Sequence, residues 1–471
     1  MLWIMDMRRE FDEAVQAAET IDFTKSTLDT VNVFETTIRY LGGFLSAFDL
    51  SGDVRLLRKA VEVGDMIYKA FDTPNRMPIT RWAIHDAMAG KKQSADGQVL
   101  VAEIGSLSME LTRLSLLTGD PKWFDAVQRI TDLLAAQQDS TLLPGLWPLI
   151  VDAEKEVFDR GSSFTLGAMA DSLYEYLPKM SALTGGQLPV YQDMYEKAVP
   201  PAVKHNLFRP MTPTNEDILV SGSVDMRVRD FGKASLELDP QGQHLVCFLG
   251  GHFALGSKLF NRPEDLSIAN KLVDGCIWAY KASPRGIMPE TYTMLPCPPP
   301  SPGPGPSPSS SSCQWDERAW KQRVLQVARD RDNAREHPEL TDQTTADYII
   351  ARDRLPPGFT SIPDTRYILR PEAIESVFVL YRATGRADLV ESAWDMFRAI
   401  NETTSTALAN SAIWDVTTPL GQPAQKADSM ESFWMGETLK YFYLIFSEPS
   451  LISLDEYVFN TEAHPFKRLL K

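Results

Sequence analysis

The sequence predicts an all-α protein built from paired helices stacked in series. Three observations carry this reading. Apolar residues recur at three- and four-residue spacing through most of the chain. Several helical runs stop at Thr-Gly or Ser-Gly followed by Asp or Arg, where glycine suits the left-handed cap just past a last turn. A second helical run follows each such stop, and the unit recurs loosely around residues 31–71, 100–137 and 370–400. An open solenoid and a closed toroid share this pattern, and polar residues on the inner helices would mark the toroid.

In chain order, "MLWIMDMRREFDEAV" reads as the middle of a helix. It has no basic flank and no long apolar region, so it is not a signal peptide. This start leads to the expectation that the N-terminus of a longer protein, with any targeting signal, is absent here. "VNVFETTIRYLGGFLSAF" opens the first helix pair. "LVAEIGSLSMELTRLSLLTG" with "PKWFDAVQRITDLLAA" makes another, and "ADSLYEYLPKMSALTG" and "LVCFLGGHFALGSKLF" continue the series. "EAIESVFVLYRATG" pairs with "RADLVESAWDMFRAI", and "ESFWMGETLKYFYLIF" is the last strongly helical run. Between them "PCPPPSPGPGPSPSSSSC", residues 296–313, cannot form a core. It reads as a disordered loop inserted into a single domain spanning 1–471, because similar helices continue on both sides. The ending "YVFNTEAHPF" crowds a hydroxyl, a carboxylate and an imidazole together, and is either a surface turn or a return to the interior.

The 471 residues are 44% hydrophobic and 10% aromatic, ample for a large core. A net charge of −16 argues against nucleic acid and anionic membrane surfaces, which select basic patches. It is compatible with a neutral substrate such as a sugar. No run of eighteen apolar residues occurs, so no transmembrane helix is expected. Four cysteines without a CxxC pair and six scattered histidines argue against zinc. The cysteines are compatible with two disulfides or with buried thiols.

Carboxylates sit where apolar residues belong. Glu35 and Arg39 in "FETTIR" are four apart, which suits an exposed ion pair, yet the flanks leave no solvated face for one. In "LRPEAIES", Pro371 suits a first turn, placing Glu372 near free backbone N–H groups and Glu375 one turn on. Glu103 and Glu110, Asp171 and Glu175, and Glu431 and Glu437 repeat the pattern on other helices. Converging carboxylates interleaved with aromatics suit a carbohydrate site, where two acids can act as the acid and base of glycoside hydrolysis.

These segments carry a family resemblance. "FETTIRYLGG", "AEIGSLSMELTRLSLLTGD", "LGAMADSLYEYLPK", "HLVCFLGG", "RYILRPEAIESVFVLYRATG", "MESFWMGETLKYFYLIFS" and "NTEAHPF" resemble, in order, the class I α1,2-mannosidases of glycoside hydrolase family 47, fungal members in particular. The resemblance implies an (α/α)7 barrel plugged at one end by a C-terminal hairpin with "NTEAHPF" at its tip. It implies an inverting, calcium-dependent exo-α1,2-mannosidase acting on high-mannose N-glycans of glycoproteins. Glu35 is implied as general acid, Glu372 as general base and Asp171 as a third catalytic carboxylate near the leaving oxygen. Inversion implies a separation between acid and base of roughly 6.5–9.5 Å. Thr461 is implied as the ligand of a Ca2+ ion, a hard cation suited to oxygen donors. Arg39, Glu103, Arg370, Glu375, Phe433, Glu437 and Glu462 match positions lining or supporting the sugar site. Cys247 and Cys276 match the family's disulfide. The implied setting is the endoplasmic reticulum or Golgi, with membrane association, or secretion. The implied assembly is a monomer.

Three departures stand out. Met169 replaces the arginine of a Gly-Ala-Arg-Ala-Asp motif that bears on branch choice. Gln243 replaces a common aspartate before His244. The family's first barrel helix is expected to survive only as "MLWIMDM", which raises the expectation of an inactive or unstable chain. The alternative function is a non-catalytic mannose-binding quality-control protein on the same fold. The presence of Glu35, Asp171 and Glu372 favours the enzyme.

Overall fold

A computed structural model describes residues 1–229, 233–298, 313–335 and 339–469. Two kinds of helix alternate along it. Ser108–Thr118 is buried at every position from 108 to 115, Asp171–Leu183 from 172 to 183, and Glu372–Thr384 from 373 to 380. A helix buried all round is an interior helix. Lys122–Gln137, by contrast, buries one stripe of Trp123, Ala126, Val127, Ile130, Thr131 and Leu134. That stripe packs on Ser108–Thr118.

The same inner–outer pairing joins Gly42–Ser51 to Val54–Tyr68, Asp171–Leu183 to Pro189–Pro201, Leu249–Leu259 to Pro263–Ala282, and Glu372–Thr384 to Asp388–Thr404. Each inner helix also packs on the next. The architecture is the all-α barrel of paired inner and outer helices that the sequence predicts. Gly52, Gly119 and Gly385 end their helices at φ 73°, 76° and 74°, the left-handed cap expected at the Ser-Gly and Thr-Gly stops.

Two inner segments are wound differently from the simple periodic expectation. Thr36–Leu41 and Trp434–Thr438 are π-helical, and each continues into an α-helix. Single π turns recur at functional sites because they re-aim side chains without ending a helix. The N-terminal stretch differs more. The helix expected through "MLWIMDM" begins only at Arg8, because Asp6 adopts φ 60° and breaks the path.

Small antiparallel sheets join the helices. Ser223–Arg229 pairs with Lys233–Asp239, with Val224 opposite Leu238 and Met226 opposite Leu236. Glu317–Asn333 and Ala346–Asp353 enclose a small separate core around Trp320, Val324, Ile349 and Leu355. Cys247 is bonded to Cys276, and Cys297 to Cys313. Of the Pro/Ser-rich insert expected at 296–313, residues 299–312 lie outside the described residues.

The chain's end returns to the middle of the barrel. Tyr457–Phe459 and Pro465–Lys467 pair as a hairpin that packs against Gly42–Ser51 and Asp171–Leu183. Gly42 makes room for its tip: a Cβ there would lie 2.8 Å from Asn460 Nδ2 and 3.1 Å from His464 Cδ2. The expected membrane association needs correction. No helix among the described residues is long and apolar enough to cross a membrane.

Candidate active site

The predicted site residues come from six separate stretches of chain and meet in one cavity of about 300 Å³. Glu35 and Arg39 arrive on the first inner segment, Glu103 from Val101–Gly105, and Asp171 and Glu175 from the helix they open. Arg370, Glu372 and Glu375 enter at the start of Glu372–Thr384, Phe433 and Glu437 beside the second π turn, and Thr461 and Glu462 on the hairpin tip. Three non-glycine residues beside the cavity hold left-handed backbones: Met169 at φ 74°, Leu369 at 70° and Ala463 at 53°. Such strain persists where the surroundings over-determine it, commonly at functional sites.

Glu372 is the first residue of its helix, in the field of unpaired N–H groups. Its Oε2 lies 2.7 Å from His244 Nδ1, and Arg370 approaches Oε1 at 3.5 Å. Burial alone would raise its pKa. The His244 hydrogen bond and the Arg370 charge outweigh burial, so the carboxyl sits below the usual glutamate range. His244 is fully buried and is held in turn by the Tyr280 hydroxyl, 2.8 Å from Nε2. Arg370 is anchored from behind by an ion pair with Glu290.

Asp171 is shifted the opposite way. Burial, with the neighbouring charges of Glu175 and Glu372, pushes it up to about 7, against the pull of the Ser172 N–H and Arg370. Two carboxyls facing one cavity are thus driven apart in acidity, the pattern that separates an acid from a base.

The remaining charges form three groups. Arg39 Nε bonds Glu35 Oε2 at 2.6 Å, and its Nη1 bonds Glu462 Oε2 at 2.9 Å. Burial works against that guanidinium, but Glu462 and Glu35 prevail and raise its pKa. Lys179, buried beneath the cavity, pairs with Glu175 and reaches Glu375 at 3.0 Å. Burial still holds Glu375 up at about 7. Glu103 pairs with Arg81 at the cavity wall. Eight carboxyl side chains and three guanidinium groups line the cavity, a clear acidic excess.

Residues 1–468 match the description "Glycosyl hydrolase family 47". The chain belongs to glycosyl hydrolase family 47. Its curated relatives include the human endoplasmic reticulum mannosyl-oligosaccharide 1,2-alpha-mannosidase, 33% identical over 98% of this chain and 56% of that protein. They also include a mannosyl-oligosaccharide alpha-1,2-mannosidase of Coccidioides posadasii, 33% identical over 98% of this chain and 80% of the relative. The solved alpha-1,2-mannosidase from Trichoderma reesei superposes with a TM-score of 0.78 at 30% identity, covering 99% of this chain and 88% of the other. The chain spans a little over half the length of the human relative.

Within this family 47 chain, Glu35, Glu103, Asp171, Glu175, Glu372, Glu375, Glu437 and Glu462 reach the one cavity with Arg39, Arg370, Phe433 and Thr461, whereas Glu110 and Glu431 do not line it. His244, Tyr280, Glu290, Lys179 and Arg81, which position or neutralise those groups, were not singled out as site residues. His244 directly precedes the recognisable "LVCFLGG" and could have been found there. Glu290 and Tyr280 carry no local signal, because only the folding of distant segments brings them to Arg370 and His244.

Proposed function

We propose that this chain is a calcium-dependent, inverting exo-α1,2-mannosidase that removes terminal α1,2-linked mannose from high-mannose N-glycans of glycoproteins. The observation carrying this reading is the opposed acidity of Glu372 and Asp171 in one acidic cavity. Glu372, held low by His244 and Arg370, takes a proton from water as the water oxygen attacks the anomeric carbon. Asp171, raised to about 7, supplies the proton that the departing glycosidic oxygen needs. The proton leaves one side of the sugar as another arrives on the other, and the product mannose has inverted configuration. The family resemblance assigns proton donation to Glu35. The raised Asp171 favours Asp171 for that step, with Glu35 and Arg39 holding the sugar hydroxyls together with Glu103, Arg370, Glu375, Glu437 and Glu462. Phe433 offers an aromatic face to the ring.

The donor set fits a calcium ion. Thr461, which carries a hydroxyl and a carbonyl oxygen, lines the cavity, and the lining carboxyls outnumber the cations. Among the described residues no three His, Cys, Asp or Glu side chains converge as a direct ligand set. Thr461 would therefore hold the ion directly, with the carboxylates reaching it through water. When bound, the ion supplies positive charge that binds two mannose hydroxyls and helps distort the ring.

Two disulfides and the named endoplasmic reticulum relatives support a place in the secretory pathway. The test is mannose release from α1,2-linked mannobiose with and without a calcium chelator. The expected result is turnover that chelation abolishes and added calcium restores. Turnover indifferent to chelation would remove calcium from the account, and no release under any condition would remove the activity.

A further inference from the structure

Glu110 is a buried carboxylate that the proposed chemistry does not use. It lies on Ser108–Thr118, is fully buried and does not line the cavity. Its Oε1 accepts two hydrogen bonds of 2.7 Å, one from Asn460 Nδ2 on the hairpin tip and one from the Tyr176 hydroxyl. Its Oε2 has no hydrogen-bond partner.

We infer that Glu110 is a positioning residue that sets the hairpin tip in the cavity through Asn460 and Tyr176. The inference rests on the proposed function only in taking Thr461 and Glu462 as working parts of the site. Asn460 uses its whole side-chain amide. Nδ2 donates to Glu110 and to the Ile38 carbonyl at 3.1 Å, while Oδ1 accepts the Glu462 and His464 N–H groups at 3.0 and 2.8 Å. A tyrosine hydroxyl has one proton. Tyr176 gives it to Glu110, so its oxygen is free to accept the Thr461 N–H at 3.3 Å.

Both contacts to the tip backbone therefore depend on one acceptor oxygen. Asn460 Nδ2 can only donate, so Oε1 is the acceptor there, and with Glu110 ionised the Tyr176 hydroxyl donates as well. The close approach of Asn460 at Gly42 leaves little room for another arrangement. From the far side of the tip, Lys440 Nζ donates to the Ala463 carbonyl at 2.6 Å, so the loop is held from both flanks.

Glu110→Leu removes the acceptor at similar bulk, whereas Glu110→Gln keeps an acceptor at Oε1. Tyr176→Phe removes only the hydroxyl. Hydrogen exchange of residues 460–463 in calcium-free protein reads the seating without reference to turnover. The calcium concentration giving half of the thermal stabilisation reads its consequence. Glu110→Leu is expected to speed exchange at these amides and to need at least tenfold more calcium. Glu110→Gln should stay within threefold of the parent in both, and Tyr176→Phe should shift in the direction of Glu110→Leu.

Parent-like exchange and calcium response in Glu110→Leu would overturn the inference, as would equal losses in the Leu and Gln variants. If Glu110→Leu does not fold, Tyr176→Phe decides, and parent-like exchange at Thr461 overturns it. If the parent shows neither turnover nor a calcium response, the proposed function fails. The exchange measurement still tests Glu110: faster exchange in Glu110→Leu supports its positioning role, and unchanged exchange contradicts it.

Discussion

His244 Nδ1 lies 2.7 Å from Glu372 Oε2, and the far nitrogen of the same ring lies 2.8 Å from the Tyr280 hydroxyl. This arrangement orients a buried carboxylate and opposes the rise in pKa that burial would cause. Glu372→Gln should lower turnover by about 10²–10⁴-fold, the usual worth of a positioned base, while still binding mannobiose. His244→Phe should lower turnover less. It should also move the acidic limb of the rate–pH profile to higher pH, because Glu372 loses the bond that holds its proton affinity down. Rate–pH profiles of the parent and both variants check this.

In the proposed mechanism Asp171 governs the opposite limb. It must carry a proton to act as donor, and its pKa is about 7. Turnover should therefore fall as pH rises through the region of 7, and Asp171→Asn should lose most activity across the whole range. An alkaline limb that survives in Glu35→Gln but not in Asp171→Asn would assign the proton to Asp171. The reverse would return that role to Glu35.

Stability should respond to pH in the calcium-free protein. Asp171, Glu110 and Glu375 have folded values of about 7, while unfolded carboxyls titrate at about 4. Between those values the folded state binds more protons than the unfolded state. Stability contributed by these groups is therefore fully present at low pH and is lost as pH rises through about 7. Thermal unfolding from pH 5 to pH 8 should show a falling midpoint without calcium and a flatter course with it.

Much of this was legible in the sequence for a simple reason. The inner helices repeat a 3.6-residue period and end at Gly52, Gly119 and Gly385, and both signals are local. The carboxylates were legible because Glu35, Asp171 and Glu372 interrupt runs too apolar to have a wet face. The π turns carrying Arg39 and Glu437 were not, because a single widened turn leaves the apolar spacing almost intact. The pairing of Ser223–Arg229 with Lys233–Asp239 could have been read from the alternation of Val224 and Met226 with Leu236 and Leu238 across the strand pair. Glu290 could not, because a buried countercharge from a distant segment shows only when the segments meet; Lys179 lies four residues after Glu175 and was legible in that spacing, though its reach to Glu375 was not.

The Cys247–Cys276 bond closes a separation of 29 residues between an inner segment and its outer helix. Replacing both cysteines with serine should lower stability by about 2–4 kcal/mol. Thermal unfolding should show a lower midpoint, with the rate–pH profile at permissive temperature unchanged in shape.

The anomeric form of the mannose first released from the methyl glycoside of α1,2-linked mannobiose, whose other sugar stays locked as methyl mannoside, followed by proton NMR in calcium buffer, probes the water–Glu372 arrangement most directly. β-Mannose is expected first, drifting afterwards to the equilibrium mixture, with no such signal from Glu372→Gln. Initial release of α-mannose, or parent-like release by Glu372→Gln, would contradict that arrangement.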